Sequence, residues 1–281
     1  MVNVAMSHFI DLGVNDHQVF SEVFSKDDTS FFRLPWDLDE VILERIQAAK
    51  HRSLGYGSSL VLKRTAFSQF GKKALKGLEV NPDTFVQMAI QLAYMRLHGK
   101  PAPTYETAST RQYLKGRTET LRSCTKELVT FCEKMDGIHI HRSEKRQALK
   151  KAIQTHNRLM NEARQGRGCD RHLFGLASMA QEDGRAMPDL FKDPAFTLSG
   201  GHGNFILSTS TCGYTGMSGG TSPMCLDGYG CFYNFEDGCI WLWITAFRQS
   251  FETSVEKFHG SLTQAFKDIY QLLLAENSSK L

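Results

Sequence analysis

The chain has 281 residues, 41% hydrophobic and 22% charged, with a formal net charge of +3. That length and apolar content suit a globular protein with a sizeable core, and the mild charge fits a small anionic ligand while giving no reason to expect nucleic acid. No apolar run reaches the ~18 residues of a membrane span, and the opening MVNVAMSHFIDLG lacks the basic start of a secretory leader.

Residues 1–35 read as irregular or partly helical, ending at Pro35. The spacing of Leu38, Val41, Ile42 and Ile46 predicts a helix over 38–50. SLVLKRTAF at 59–67 reads as a strand. Lys72, Lys73 and Lys76 follow it. On a helical turn Lys72 and Lys76 face the same way and suit a phosphate, although a solvated basic turn explains them equally well. The clearest helix spans 82–98, with Asn81 to cap it, Pro82 in its first turn and Gly99 to stop it.

TYETAST at 104–110 suits a strand with Tyr105 and Thr107 on one face, and Thr118 follows shortly after Gly116-Arg117. These hydroxyls could converge on an anion, or serve strand propensity alone. Helices are expected over 125–136, 143–165 and 170–181. Arg171 opens the last of them between Asp170 and His172. It suits a ligand carboxylate, or a structural pairing with a nearby acid. Strands are expected near 203–209, 229–235 and 239–247, before a final helix over 252–275. Ser208-Thr209-Ser210 ends the first of these strands and offers uncharged hydroxyl donors to a cleft. Alternating helices and strands indicate an α/β fold with a mixed sheet and flanking helices.

Seven cysteines, an odd number without a Cys-x-x-Cys pair, read as free thiols in a reducing compartment. His139 and His141 lack a third ligand, so no metal is expected. The terminal Ser279-Lys280-Leu281 is a peroxisomal address, which implies the import receptor as a partner and the peroxisome as location.

RTETLRSCT at 117–125, DRHLFGL at 170–176, DPAFTLSGGHGNFILSTS at 193–210 and GYGCFYN at 228–234 occur in this order. In these blocks the chain, from about residue 38 onward, resembles the C-terminal half of the carnitine/choline acyltransferases. The resemblance implies a coenzyme-A-dependent acyltransferase fold, similar to chloramphenicol acetyltransferase, of which this would be the C-terminal lobe. It implies acyl transfer between coenzyme A and carnitine, both of them substrates, with no permanently bound cofactor. On that resemblance Tyr105, Thr107 and Thr118 look like ligands of the carnitine carboxylate, with Arg171 in support. Lys72, Lys76 and Asp83 look like the coenzyme A site, and Ser210 like the donor to the oxyanion. Gly219 stands where short-chain members resemble one another in carrying Met, which implies room for a medium, octanoyl-like acyl chain.

The family's general base is a histidine of the N-terminal half, and neither His8 nor His17 has its surroundings. Residues 1–35 are therefore expected to be a remnant of the catalytic lobe and linker, 36–276 the C-terminal lobe and 277–281 a tail. The chain alone is expected to be close to inactive. The alternative is a non-catalytic coenzyme-A-binding isoform or partner subunit.

Overall fold

The computed structural model describes residues 36–211 and 219–277. Their contacts divide them into two units, one holding residues 36–59 and the other the chain from Leu60 onward. In the first, α1 (Glu40–Ser59) begins where Asp39 Oδ1 accepts from the Ile42 amide at 2.7 Å. It runs well past the expected end at residue 50. The Ser58 and Ser59 hydroxyls donate back to the carbonyls of Gly55 and Tyr56, which closes a last turn that Gly55 and Gly57 would otherwise weaken.

The second unit runs, in chain order, β1 (Leu60–Phe67), α2 (Lys72–Gly77), α3 (Pro82–His98), β2 (Thr104–Ser109), β3 (Thr118–Arg122), α4 (Lys126–Asp136), α5 (Arg142–Arg164), α6 (Asp170–Glu182), α7 (Asp189–Lys192), α8 (Pro194–Leu198), β4 (Leu207–Thr211), β5 (Tyr229–Phe235), β6 (Ile240–Phe247) and α9 (Val255–Asn277). The strands form one sheet in the order β1-β6-β5-β4-β2-β3. β2, β4 and β5 run parallel, and the flanking pairs are antiparallel, so the sheet is mixed as expected.

α3 is apolar around most of its circumference and buries twelve residues, which fits a helix enclosed between layers. Phe85, Met88 and Leu92 pack with Phe258, Leu262 and Phe266 of α9 and with Leu207, Tyr229 and Ile244 of the sheet. Phe85 stacks on Phe266 with ring centroids 5.6 Å apart. The expected caps are present: Asn81 accepts from the Asp83 amide, and Gly99 takes the left-handed conformation at φ 68°.

Three local expectations needed revision. β3 is a strand that periodicity did not signal, since TETLR is short and carries two charges; its pairing with β2 makes it one. β4 begins at Leu207 rather than 203, because Gly200, His202 and Gly203 have positive φ and form a tight turn. The short helices α7 and α8 fill a stretch with no predicted structure.

Candidate active site

Strand periodicity sorts the site residues between the two sheet faces. Tyr105 stands in register with Arg122 of β3 and Ser208 of β4, and Thr107 with Thr120. Side chains in register share a face, so Tyr105, Thr107, Thr118, Thr120, Arg122, Ser208 and Ser210 all project from one side. The opposite side rests on α3.

Thr209 belongs to that opposite side. It is 1% exposed, donates to the Tyr105 carbonyl at 2.8 Å, and accepts from Gln87 Nε2 at 2.9 Å. The Ser-Thr-Ser triplet is thereby divided: its middle member locks β4 to β2 and α3, while Ser208 and Ser210 face the other way. Gln87 Nε2 also donates to the Tyr233 hydroxyl at 2.9 Å.

The expected carboxylate ligands come together. Arg171 Nη2 donates to the Tyr105 hydroxyl at 3.1 Å and to Thr118 Oγ1 at 3.3 Å, and its Nε donates to the Thr118 carbonyl at 3.3 Å. The nearby acids are engaged elsewhere. Asp170 accepts from Arg122 at 2.7 Å, and Glu119 Oε1 accepts from the backbone amide of Arg171 rather than from its guanidinium. Among the described residues no carboxylate neutralises Arg171. The structural pairing open from sequence is not what holds this arginine. Its charge lies exposed beside two hydroxyls, an arrangement suited to a ligand carboxylate. Thr107 lies two residues along β2 on the same face, half-buried.

A cavity of about 490 Å³ opens here, with Tyr105, Thr120, Arg122, Arg171, Phe196 and Phe205 in its wall. The edge of one ring meets the face of the other where Phe205 packs on Tyr105, at 5.5 Å between centroids.

Ser210 is half-buried near the end of β4, in register with Phe232 of β5. A Cβ on Gly219 would meet Phe232 at an ordinary 3.8 Å, so the position has room for a side chain that the sequence leaves out. Gly230 lets this loop cross the sheet: a Cβ there would stand 1.9 Å from the Thr221 carbonyl oxygen. Gly219 and Ser210 therefore share the neighbour Phe232.

Lys72 and Lys76 lie on α2, beyond the carboxyl end of β5. The Lys72 amide donates to the Glu236 carbonyl at 2.8 Å, and its ammonium lies 3.2 Å from Asp237. Asp83, at the amino end of α3, accepts from the Tyr233 hydroxyl at 2.6 Å. This places Asp83 in a buried network as well as beside α2. The carboxyl ends of parallel strands are where open α/β sheets bind ligands, and the basic turn, Ser210 and Thr107 all lie toward that end.

Sequence reasoning missed the pair beneath the site. Glu106, between Tyr105 and Thr107, points to the helix side and meets His156 of α5 at 2.8 Å, with both side chains less than 5% exposed. Burial pushes the Glu106 carboxyl up to about 7 against the pull of His156. Burial opposes charge on His156, but the facing carboxylate outweighs it and holds that imidazole above its ordinary value. A histidine among apolar positions of a long helix was the available signal.

Six free cysteines lie among the described residues. Burial drives Cys132 and Cys231 upward, as for unreactive core thiols. Cys212, His8, His17 and the terminal Ser279-Lys280-Leu281 lie outside the described residues. No described helix is long and apolar enough to cross a membrane.

Comparison with known proteins bears directly on this arrangement. A profile of the choline/carnitine O-acyltransferases matches residues 2–264. The chain belongs to the choline/carnitine O-acyltransferase family. It is 43% identical over 240 residues to a peroxisomal carnitine O-octanoyltransferase of Mus musculus, covering 85% of this chain and 39% of that protein. Similarity to the Homo sapiens protein of that name is 44% over 236 residues, covering 84% of this chain and 39% of that one. A Homo sapiens carnitine O-acetyltransferase is 34% identical over 250 residues, covering 89% and 40%. The chain thus spans about two-fifths of the length of these acyltransferases. Its mixed sheet with flanking helices is the coenzyme-A-dependent acyltransferase architecture expected of the family.

Proposed function

We propose that this chain is the carnitine- and coenzyme-A-binding lobe of a medium-chain carnitine O-acyltransferase. The convergence of Arg171 on the hydroxyls of Tyr105 and Thr118, with no carboxylate spent on it among the described residues, carries the reading. Those three groups, with Thr107 beside them, bind the carnitine carboxylate. Lys72 and Lys76 meet the 3′-phosphate side of coenzyme A, and Asp83 supports that site. Ser210 donates to the oxyanion that forms when the carnitine hydroxyl attacks the thioester carbonyl, and carnitine's own ammonium offsets part of that charge. Acyl-CoA and carnitine are substrates, and nothing is bound permanently.

The proton of the carnitine hydroxyl goes to a histidine contributed from outside the residues assigned here. The lobe therefore supplies binding and oxyanion stabilisation, and the base comes from the family's N-terminal half. Residues 1–35 belong to that half and its linker, 36–276 to the lobe, and 277–281 to a tail. The octanoyl-like preference rests on Gly219 beside Phe232, and the peroxisomal location on Ser279-Lys280-Leu281 and on the relatives' printed names.

The test is octanoyl transfer from octanoyl-CoA to carnitine, measured for the chain alone and for the chain joined to a histidine-bearing N-terminal half of the family. Transfer only by the joined form supports the proposal. Coenzyme A binding without transfer by either form would favour a non-catalytic binding protein or partner subunit.

A further inference from the structure

α6 carries Arg171 in its first turn yet buries none of its residues. Apolar packing, the usual means of fixing a helix, does little to place it. Two polar ties from β3 reach its amino end instead. Glu119, 5% exposed, accepts from the Arg171 amide at 3.2 Å and from the Thr120 amide at 2.7 Å through the same oxygen, Oε1. Arg122 grips Asp170 through Nε and Nη2, both at 2.7 Å, and donates through Nη1 to the Ser199 carbonyl at 2.7 Å.

Two further contacts make this a built arrangement. A Cβ on Gly168 would come within 2.3 Å of Glu119 Cγ, so glycine there leaves space for the carboxylate. The Arg122 guanidinium also lies 5.3 Å from the Phe205 ring centroid, and Phe205 packs on Tyr105.

We propose that Glu119 and the Arg122–Asp170 pair are positioning residues for substrate binding: they hold the first turn of α6 so that Arg171 meets Tyr105 and Thr118. The inference rests on the carnitine-carboxylate reading of that site. Arg122 and Asp170 also line the cavity, but both ties act on carnitine through Arg171. Arg122 serves both halves of the pocket, fixing Arg171 through Asp170 and backing Tyr105 through Phe205.

The experiment compares Asp170→Asn, Glu119→Ala and Glu119→Gln with the unchanged protein, each also made in an Arg171→Ala background. Amide hydrogen exchange of residues 171–174 and calorimetric affinity for carnitine are the two readouts. In Asp170→Asn and Glu119→Ala, exchange in this turn speeds up and carnitine affinity falls about tenfold, the scale of one lost charge-assisted hydrogen bond. Glu119→Gln keeps an acceptor oxygen and recovers most of both. In the Arg171→Ala background neither substitution weakens carnitine further. Unchanged exchange in the first turn of α6, or losses that add fully to that of Arg171→Ala, would overturn the inference. Faster exchange with carnitine affinity indifferent to Arg171→Ala would leave the positioning of the helix standing and remove the carboxylate reading instead.

Discussion

Arg171 Nη2 lies 3.1 Å from the Tyr105 hydroxyl, joining residues 66 positions apart in sequence. β2 supplies one partner and the amino end of α6 the other. The bond joins a cation to a neutral group, so the positive charge is oriented without being neutralised. A pocket arranged this way binds an incoming carboxylate by adding to its hydrogen bonds rather than by displacing an internal acid.

Ser210 should act on the transition state more than on binding. In the form that carries the family histidine, Ser210→Ala is expected to lower kcat by about 10²–10³-fold, the usual loss for one oxyanion donor, with little change in the KM for carnitine. Steady-state kinetics with octanoyl-CoA provide the check, and an unaltered kcat would remove Ser210 from that role.

Gly219 should set the depth of the acyl site. A Cβ there makes ordinary contact with Phe232, so Gly219→Met can be accommodated while filling the space beyond. Each methylene that loses its burial gives up ~0.8 kcal/mol, so the variant should favour acetyl-CoA over octanoyl-CoA by several orders of magnitude in relative kcat/KM. Equal discrimination before and after the substitution would show that the acyl chain runs elsewhere.

Much of this arrangement is legible in the chain because its determinants are local. Asn81, Pro82 and Gly99 bound α3 by capping chemistry, and period two puts Tyr105 and Thr107 on one face. The same period separates Thr209 from Ser208 and Ser210, so the split of the triplet was available to simple alternation. β3 was not, because TETLR has no strand signature until β2 pairs with it. The roles of Glu119, Arg122 and Asp170 were hidden for a related reason. Their partners lie on elements 48 to 77 residues away, and no local spacing announces them.

Gln87 should matter for stability. It lies 1% exposed in α3, and its amide holds Thr209 and Tyr233. Gln87→Leu removes the donor to both hydroxyls, which keep their bonds to the Tyr105 carbonyl and to Asp83, at about 0.5–1.5 kcal/mol per lost hydrogen bond. Urea denaturation should show a lower midpoint with an unchanged slope. A midpoint that does not move would mean that the network reorganises without loss.

The Glu106–His156 pair gives stability a pH dependence of known sign. Both groups titrate higher in the folded chain than their ordinary values of 4.5 and 6.5, so the folded state binds protons more tightly than the unfolded one. The resulting stability is fully present below those ordinary values and is lost as pH rises through the folded ones, with Glu106 completing its share near 7. Melting temperature should therefore fall more steeply from about pH 5 to about pH 8 in the native sequence than in Glu106→Gln, which removes the carboxyl titration. Parallel profiles would contradict this.

The most direct measurement is a calorimetric titration of carnitine into the protein and into Arg171→Ala. If the uncommitted guanidinium is the carboxylate anchor, its loss should weaken carnitine by about 10–100-fold, the scale of a charge-assisted hydrogen bond. Coenzyme A, proposed to bind through α2, should keep its affinity. Equal carnitine affinity in the two proteins would contradict the account at its centre.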